Sequence, residues 1–204
     1  MTSLQVRRRF VTPLVVLLAL LPAGLLAWNA LNGLLSANPI KDITEATGTW
    51  TLRFLMVTLA IRPLRAVPGL AWCARYRRMM GLFAFFYGFL HLSTYVVLDQ
   101  FFDLDMIVAD IMKRPFITVG IAAFTLMVPL ALTSTAGMMR RMGGRRWKML
   151  HRLVYASATG GVIHYLWLVK ADRQRPLIYG AILAALLGYR IWEYWKRRRT
   201  APLS

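Results

Sequence analysis

LHRLVYASATGGVIHYLWLVK, residues 150–170, decides how this chain must be read. It is apolar and long enough to cross a bilayer, whose hydrocarbon core is about 30 Å thick. It also carries two of the chain's three histidines, His151 and His164. The third, His91, lies in a second such stretch, MMGLFAFFYGFLHLSTYVVL, residues 79–98. Every histidine therefore sits within or at the edge of a spanning segment. An ionisable ring placed there marks a functional site by default, because burying it without a partner is costly.

The rest of the chain agrees with a membrane reading. Of 204 residues, 58% are hydrophobic, and 26 Lys and Arg against 8 Asp and Glu give a net charge of +18. Such a balance suits nucleic-acid binding. Here the positive charges fall in short clusters between apolar runs, as membrane-flanking residues do, so no nucleic-acid partner is expected. The single cysteine, Cys73, excludes an internal disulfide and any cysteine-held metal or iron–sulfur cluster. No GxGxxG, GxxxxGK[ST] or HExxH motif occurs, so the chain carries no recognisable nucleotide domain of its own.

Six spans are expected, at about 10–31, 49–64, 79–98, 116–133, 150–169 and 177–195. The first follows Arg7-Arg8-Arg9 and resembles a signal peptide, but its apolar run has span length and is read as an uncleaved helix. The second is the weakest. Its uncharged core runs only from Phe54 to Ile61, and Arg53 and Arg62 must snorkel to opposite interfaces, the alternative being a re-entrant or surface helix. Loops 62–78 and 136–148 and the tail Lys196–Arg199 are basic. Loops 32–48 and 99–114 are neutral or acidic, and 170–176 is mildly basic. The positive-inside rule then places both termini in the cytoplasm. The fold class is an all-α six-transmembrane-helix bundle, a single domain over residues 1–204.

In this topology His91 lies twelve residues beyond Met79, and His164 fourteen beyond Leu150. At a rise of 1.5 Å per residue both stand roughly 18–21 Å above the cytoplasmic edge. Two imidazoles at one depth on two helices can clamp a flat cofactor, and haem b is the obvious candidate. Gly88 and Gly160-Gly161 leave room for a macrocycle or serve ordinary helix packing. A bare zinc or copper site lacks completing carboxylates or thiols. Read singly, each histidine is also a hydrogen-bonding or proton-relay group.

His151 stands at the cytoplasmic mouth, thirteen residues before His164. In a continuous helix thirteen steps amount to about 220° beyond full turns, so the two rings point to different sides. Arg77 lies fourteen residues before His91, at the depth of His151. A second haem there would take His151 as ligand and Arg77 as propionate partner or opposing ligand, with Met79, Met80 or Met149 as a soft alternative. The plainer reading is that His151 caps the interface among basic residues. Arg75, Arg77, Arg78, Arg145 and Arg146 satisfy topology alone, or bind a flavin mononucleotide (FMN) phosphate or acidic lipid headgroups.

An ordered set of residues carries a family resemblance. It comprises Asn38-Pro39-Ile40-Lys41-Asp42-Ile43 with Thr47-Gly48, Arg77-Arg78-Met79-Met80-Gly81-Leu82 leading to Leu90-His91-Leu92, and Arg114-Pro115-Phe116. It continues with Trp147, Leu150-His151-Arg152-Leu153-Val154-Tyr155 and Ile163-His164-Tyr165-Leu166-Trp167. From about Leu14 to Trp192 the chain resembles the MsrQ (YedZ) family. These are haem-binding membrane subunits of bacterial periplasmic methionine sulfoxide reductase systems, in the ferric reductase-like transmembrane superfamily.

The resemblance implies haem b on His91 and His164, His151 as a further haem-iron ligand candidate, and FMN binding at a site that no residue here marks. It implies a multi-pass protein of the bacterial inner membrane. Electrons would come from the quinol pool or a cytosolic flavin reductase. They would pass to a periplasmic molybdopterin-dependent methionine sulfoxide reductase subunit that repairs oxidised proteins. Two-haem ferric reductases and NADPH oxidases pair histidines fourteen apart on both helices. Here the third span has one histidine and the fifth a spacing of thirteen, which leaves one haem or two open. The expectation is a membrane cytochrome b, an electron-transfer subunit rather than the catalytic one. The competing classes are a histidine-dependent proton or ion transporter and a structural membrane anchor without haem; both predict no visible absorbance.

Overall fold

The structure, a computed structural model, describes residues 10–199; the basic cluster Arg7–Arg9 lies outside the described residues. Helix α1, Thr12–Leu31, carries proline in its first turn and again at Pro22. Its leucines at 14, 17, 18, 21 and 25 face outward, as they would toward lipid. The Tyr87 hydroxyl enters the helix ladder beside Pro22, donating to the Ala19 carbonyl (2.8 Å) and accepting from the Ala23 N–H (3.1 Å). The proline loosens the turn, and a buried side chain supplies the displaced backbone bond.

Helix α2 runs Pro39–Leu64, ten residues further toward the N-terminus than the expected span. The Asn38-Pro39-Ile40-Lys41-Asp42 segment is a helix start. Asn38 caps it by accepting from the Lys41 N–H (3.1 Å), and Pro39 occupies the first turn. Asp42 accepts from the Ser36 N–H at 2.6 Å. Thr44, Thr47, Thr51 and Thr58 each return a hydroxyl to the carbonyl four residues back, which removes the cost of setting them in apolar surroundings.

A 3-10 segment, Ala71–Tyr76, leads into α3, Arg77–Ser93, and a π-helical stretch, Thr94–Asp99, continues it. The loop expected at 99–114 contains helix α4, Leu104–Lys113, capped by Asp103; none of its residues is buried. Helix α5 is Pro115–Leu132. The expected loop 136–148 holds two short helices, α6 (Ala136–Met142) and α7 (Gly144–Leu150), joined at Gly143, whose φ of 75° suits glycine. The opening stretch is not one helix. The backbone breaks at His151 and Arg152, and α8 runs Leu153–Leu168. The phase difference between His151 and His164 expected for a continuous helix therefore does not apply. Helix α9, Gln174–Arg199, closes the described chain.

The helices pack as two close pairs, α2 with α3 and α5 with α8. Contacts of α3 with α5 and of α2 with α8 join the pairs, and α9 and α1 lie outside them. Small residues permit the close approach. Gly160 faces Ala123, and the buried Ser157 hydroxyl donates across to the Ala123 carbonyl at 2.9 Å. Gly88 faces Phe124 and Thr51, and Gly161 faces Leu52. Each of these glycines lies against a neighbouring helix. Among the described residues three stretches are long and apolar enough to cross a membrane: Thr12–Leu31, Ala71–Asp99 and Pro115–Leu132.

Candidate haem site

At one end of the bundle the two close pairs each contribute a histidine. His91, near the C-terminus of α3, sends Nδ1 to the Thr44 carbonyl of α2 (2.9 Å). His164, near the C-terminus of α8, sends Nδ1 to the Phe116 carbonyl of α5 (2.6 Å). A carbonyl only accepts, so Nδ1 carries the proton in both rings and Nε2 presents a lone pair. This is the arrangement that orients a metal-binding imidazole.

The ring centroids of His91 and His164 are 6.1 Å apart and the planes meet at 81°. Two imidazoles sharing one metal ion, with bonds of about 2 Å, place their rings about 6 Å apart. The spacing and the two free lone pairs thus fit bis-imidazole ligation. Among the described residues no group of three or more His, Cys, Asp or Glu side chains gathers to hold a metal. The pair can offer only two donors, which suits an iron whose remaining ligands come from a porphyrin.

Two further residues shape the site. A Cβ on Gly120 would lie 2.6 Å from His164 Nδ1, and one on Gly48 would lie 2.9 Å from His91 Cε1. Each ring is seated directly on a glycine of the partner helix. The glycine follows the accepting carbonyl by four residues in both cases, Thr44 to Gly48 and Phe116 to Gly120. The site is thus built twice, once by α2 and α3 and once by α5 and α8. Sequence reasoning missed both glycines as site residues. The signal was present as a glycine four residues after each anchor, but it is visible only once the helices are paired.

His151 lies at the opposite end of the bundle. Its ring stacks on Trp147 with centroids 3.8 Å apart, and Nε2 meets the Thr133 hydroxyl at 3.2 Å. Thr133 gives its own proton to the Pro129 carbonyl (2.6 Å), while Trp147 Nε1 donates to the Thr133 carbonyl (2.9 Å). Thr133 therefore accepts from His151, whose proton sits on Nε2, and Nδ1 has no hydrogen-bond partner among the described residues. The charges of Arg77 and Arg78 act on this ring. The structure brings Arg77 and His151 to one end and does not bring His151 to the His91–His164 pair.

Comparison with known proteins bears on the same region. Residues 47–162 match the family model described as ferric reductase like transmembrane component. The protein-methionine-sulfoxide reductase heme-binding subunit MsrQ of Herminiimonas arsenicoxydans is 53% identical over 182 residues, covering 88% of this chain and 84% of that protein. Its counterpart in Azospira oryzae is 53% identical over 193 residues, covering 91% and 83%. The Rhodospirillum rubrum counterpart is 52% identical over 186 residues, covering 91% and 89%. No solved structure matches the chain. The family match and the apolar helices make this a multi-pass membrane protein. With half its residues shared over most of its length, the chain belongs to the MsrQ family of ferric reductase like transmembrane proteins.

Proposed function

We propose that this chain is the haem b-binding, electron-transferring membrane subunit of a methionine sulfoxide reductase system. The observation that carries the reading is the facing pair His91 and His164, with both Nε2 lone pairs free and the rings 6.1 Å apart. The names of the relatives supply the system. When bound, haem b supplies a one-electron iron couple, and two imidazole ligands favour electron transfer over oxygen chemistry. The chain's own residues do the rest. The Thr44 and Phe116 carbonyls fix the tautomers, and Gly48 and Gly120 give the rings room.

In this reading the chain spans the bacterial inner membrane six times with both termini in the cytoplasm, as its alternating loop charge favours. The His91–His164 pair then lies toward the periplasm, beside a molybdopterin-dependent reductase subunit. The donor, quinol or a cytosolic flavin reductase, acts from the other side. A carrier near His151 and Arg77, a second haem or FMN, would bridge the distance. An absorbance spectrum of the detergent-purified chain, reduced with dithionite, tests the proposal. A b-type haem band is expected. Its absence would leave the transporter or anchor classes in its place.

A further inference from the structure

Arg190, on α9, lies at the end of the bundle that holds His151. One corner of its guanidinium is held: Nη1 donates to the Tyr155 hydroxyl, and the group lies over the Tyr155 ring, 4.6 Å from the centroid. The other two nitrogens, Nε and Nη2, are shut off from solvent and have no hydrogen-bond partner among the described residues. These two N–H groups form the parallel side-on fork with which arginine grips a pair of carboxylate or phosphate oxygens.

Among the described residues no carboxylate forms a salt bridge with this guanidinium. Glu193, three residues along the same helix, is taken up on both oxygens, by Arg62 Nε at 2.7 Å and by Arg197 Nη2 at 2.6 Å. Arg62, through its bond to Glu193, instead brings a further cation to this end of α9. A partly buried cation with two unmet donors among other cations is expensive, and an anion of matching shape removes the cost. Hydrocarbon tails cannot do so.

We infer that Arg190, pinned by Tyr155, is an oxyanion-binding site that takes a carboxylate or phosphate group side-on at Nε and Nη2. Tyr155 follows His151 by four residues, so the site borders the region of that ring. A carboxylate would come from a propionate of a second porphyrin at the His151 end, an option that rests on the second carrier of the proposed function. A phosphate would come from a lipid headgroup, which does not.

The test uses the full chain in detergent, as wild type, Arg190→Gln, Arg190→Lys and Tyr155→Phe. One arm titrates the haem-free protein with protohaem IX and with its dimethyl ester, followed by absorbance. The other measures retention of phosphatidylglycerol against diacylglycerol by native mass spectrometry. The wild type should prefer one anionic probe over its neutral counterpart about tenfold or more, the range of a hydrogen bond to a charged group. Arg190→Gln should erase that preference, and Arg190→Lys and Tyr155→Phe should reduce it. A preference for free-acid porphyrin assigns the carboxylate, and one for phosphatidylglycerol assigns the phosphate.

The inference is overturned if the wild type prefers neither anionic probe, or if Arg190→Gln keeps the full preference. Should Arg190→Gln fail to fold, Tyr155→Phe, which keeps the charge and loses one hydroxyl, decides in the same way. Failure of the haem proposal is seen separately, as no binding of either porphyrin. The phosphatidylglycerol arm then supports or overturns the site alone.

Discussion

The imidazoles of His91 and His164 stand edge to face, 6.1 Å apart, each held by a carbonyl of a different partner helix. The relationship is reciprocal. α2 supplies a carbonyl and a glycine to the ring on α3, and α5 supplies the same two features, four residues apart, to the ring on α8. A ring with its Nδ1 fixed and one face against a bare Cα has little freedom to turn. In the proposed haem site such pre-orientation would let the two imidazoles meet one iron without reorganising.

The glycines give the first prediction. Gly120→Ala sets a methyl carbon 2.6 Å from His164 Nδ1, and Gly48→Ala sets one 2.9 Å from His91 Cε1. Both rings must shift, and the first must shift further. Haem affinity should fall about 10- to 100-fold, as for loss of a residue that orients a metal ligand. The fall should be greater for Gly120→Ala. Gly24→Ala and Gly188→Ala, with nothing within 4 Å, should leave affinity unchanged. Haem titration followed by absorbance makes the comparison. Equal behaviour of all four variants would show that the rings are not seated as described.

A second prediction concerns Tyr87, which is 1% exposed and bridges the Ala23 N–H and Ala19 carbonyl of α1. Tyr87→Phe removes both bonds and leaves two main-chain groups unpaired beside Pro22. The loss should be about 1–3 kcal/mol, the cost of unsatisfied buried polar groups. Thermal unfolding in detergent should show a lower midpoint. An unchanged midpoint would mean that α1 closes its own ladder and that the bridge is dispensable.

How much of this was legible in the sequence depends on what kind of information each part needed. The depth match of His91 and His164 follows from a fixed rise per residue, so it could be read from spacing alone. The seats of the two rings, Gly48 and Gly120, could not. They depend on which helix lies beside which, and in what register. Gly88, Gly160 and Gly161, close to the histidines in sequence, face helix neighbours instead. The break at His151 and Arg152 was hidden because the stretch stays apolar across it. Helix α4 was hidden because its aspartates were read as loop charge. Asp103 is its cap, and Asp110 meets Arg114 one turn later.

The third prediction is a pH dependence at the start of α2. The Ser36 N–H, and then its side chain, hold the Asp42 carboxyl below its ordinary value of 3.8. The folded pKa is lower than the unfolded one. The contribution is therefore complete above about 3.8 and is lost as pH falls through the lowered folded value. Hydrogen exchange at the Ser36 amide should stay protected down to the range of ordinary carboxylate titration and open below it. In Asp42→Asn the protection should be weaker and should not change with pH over that interval. A protonation-dependent opening that persisted in Asp42→Asn would assign the effect elsewhere.

The most direct measurement is the haem-to-protein ratio, with the reduced spectrum, in His91→Ala, His164→Ala and His151→Ala. The account predicts that His91→Ala and His164→Ala lose the same haem, by the same amount and with the same spectral change. It predicts that His151→Ala leaves that haem in place. Haem retained at the wild-type ratio after loss of either His91 or His164, or different haems lost in the two variants, would contradict it.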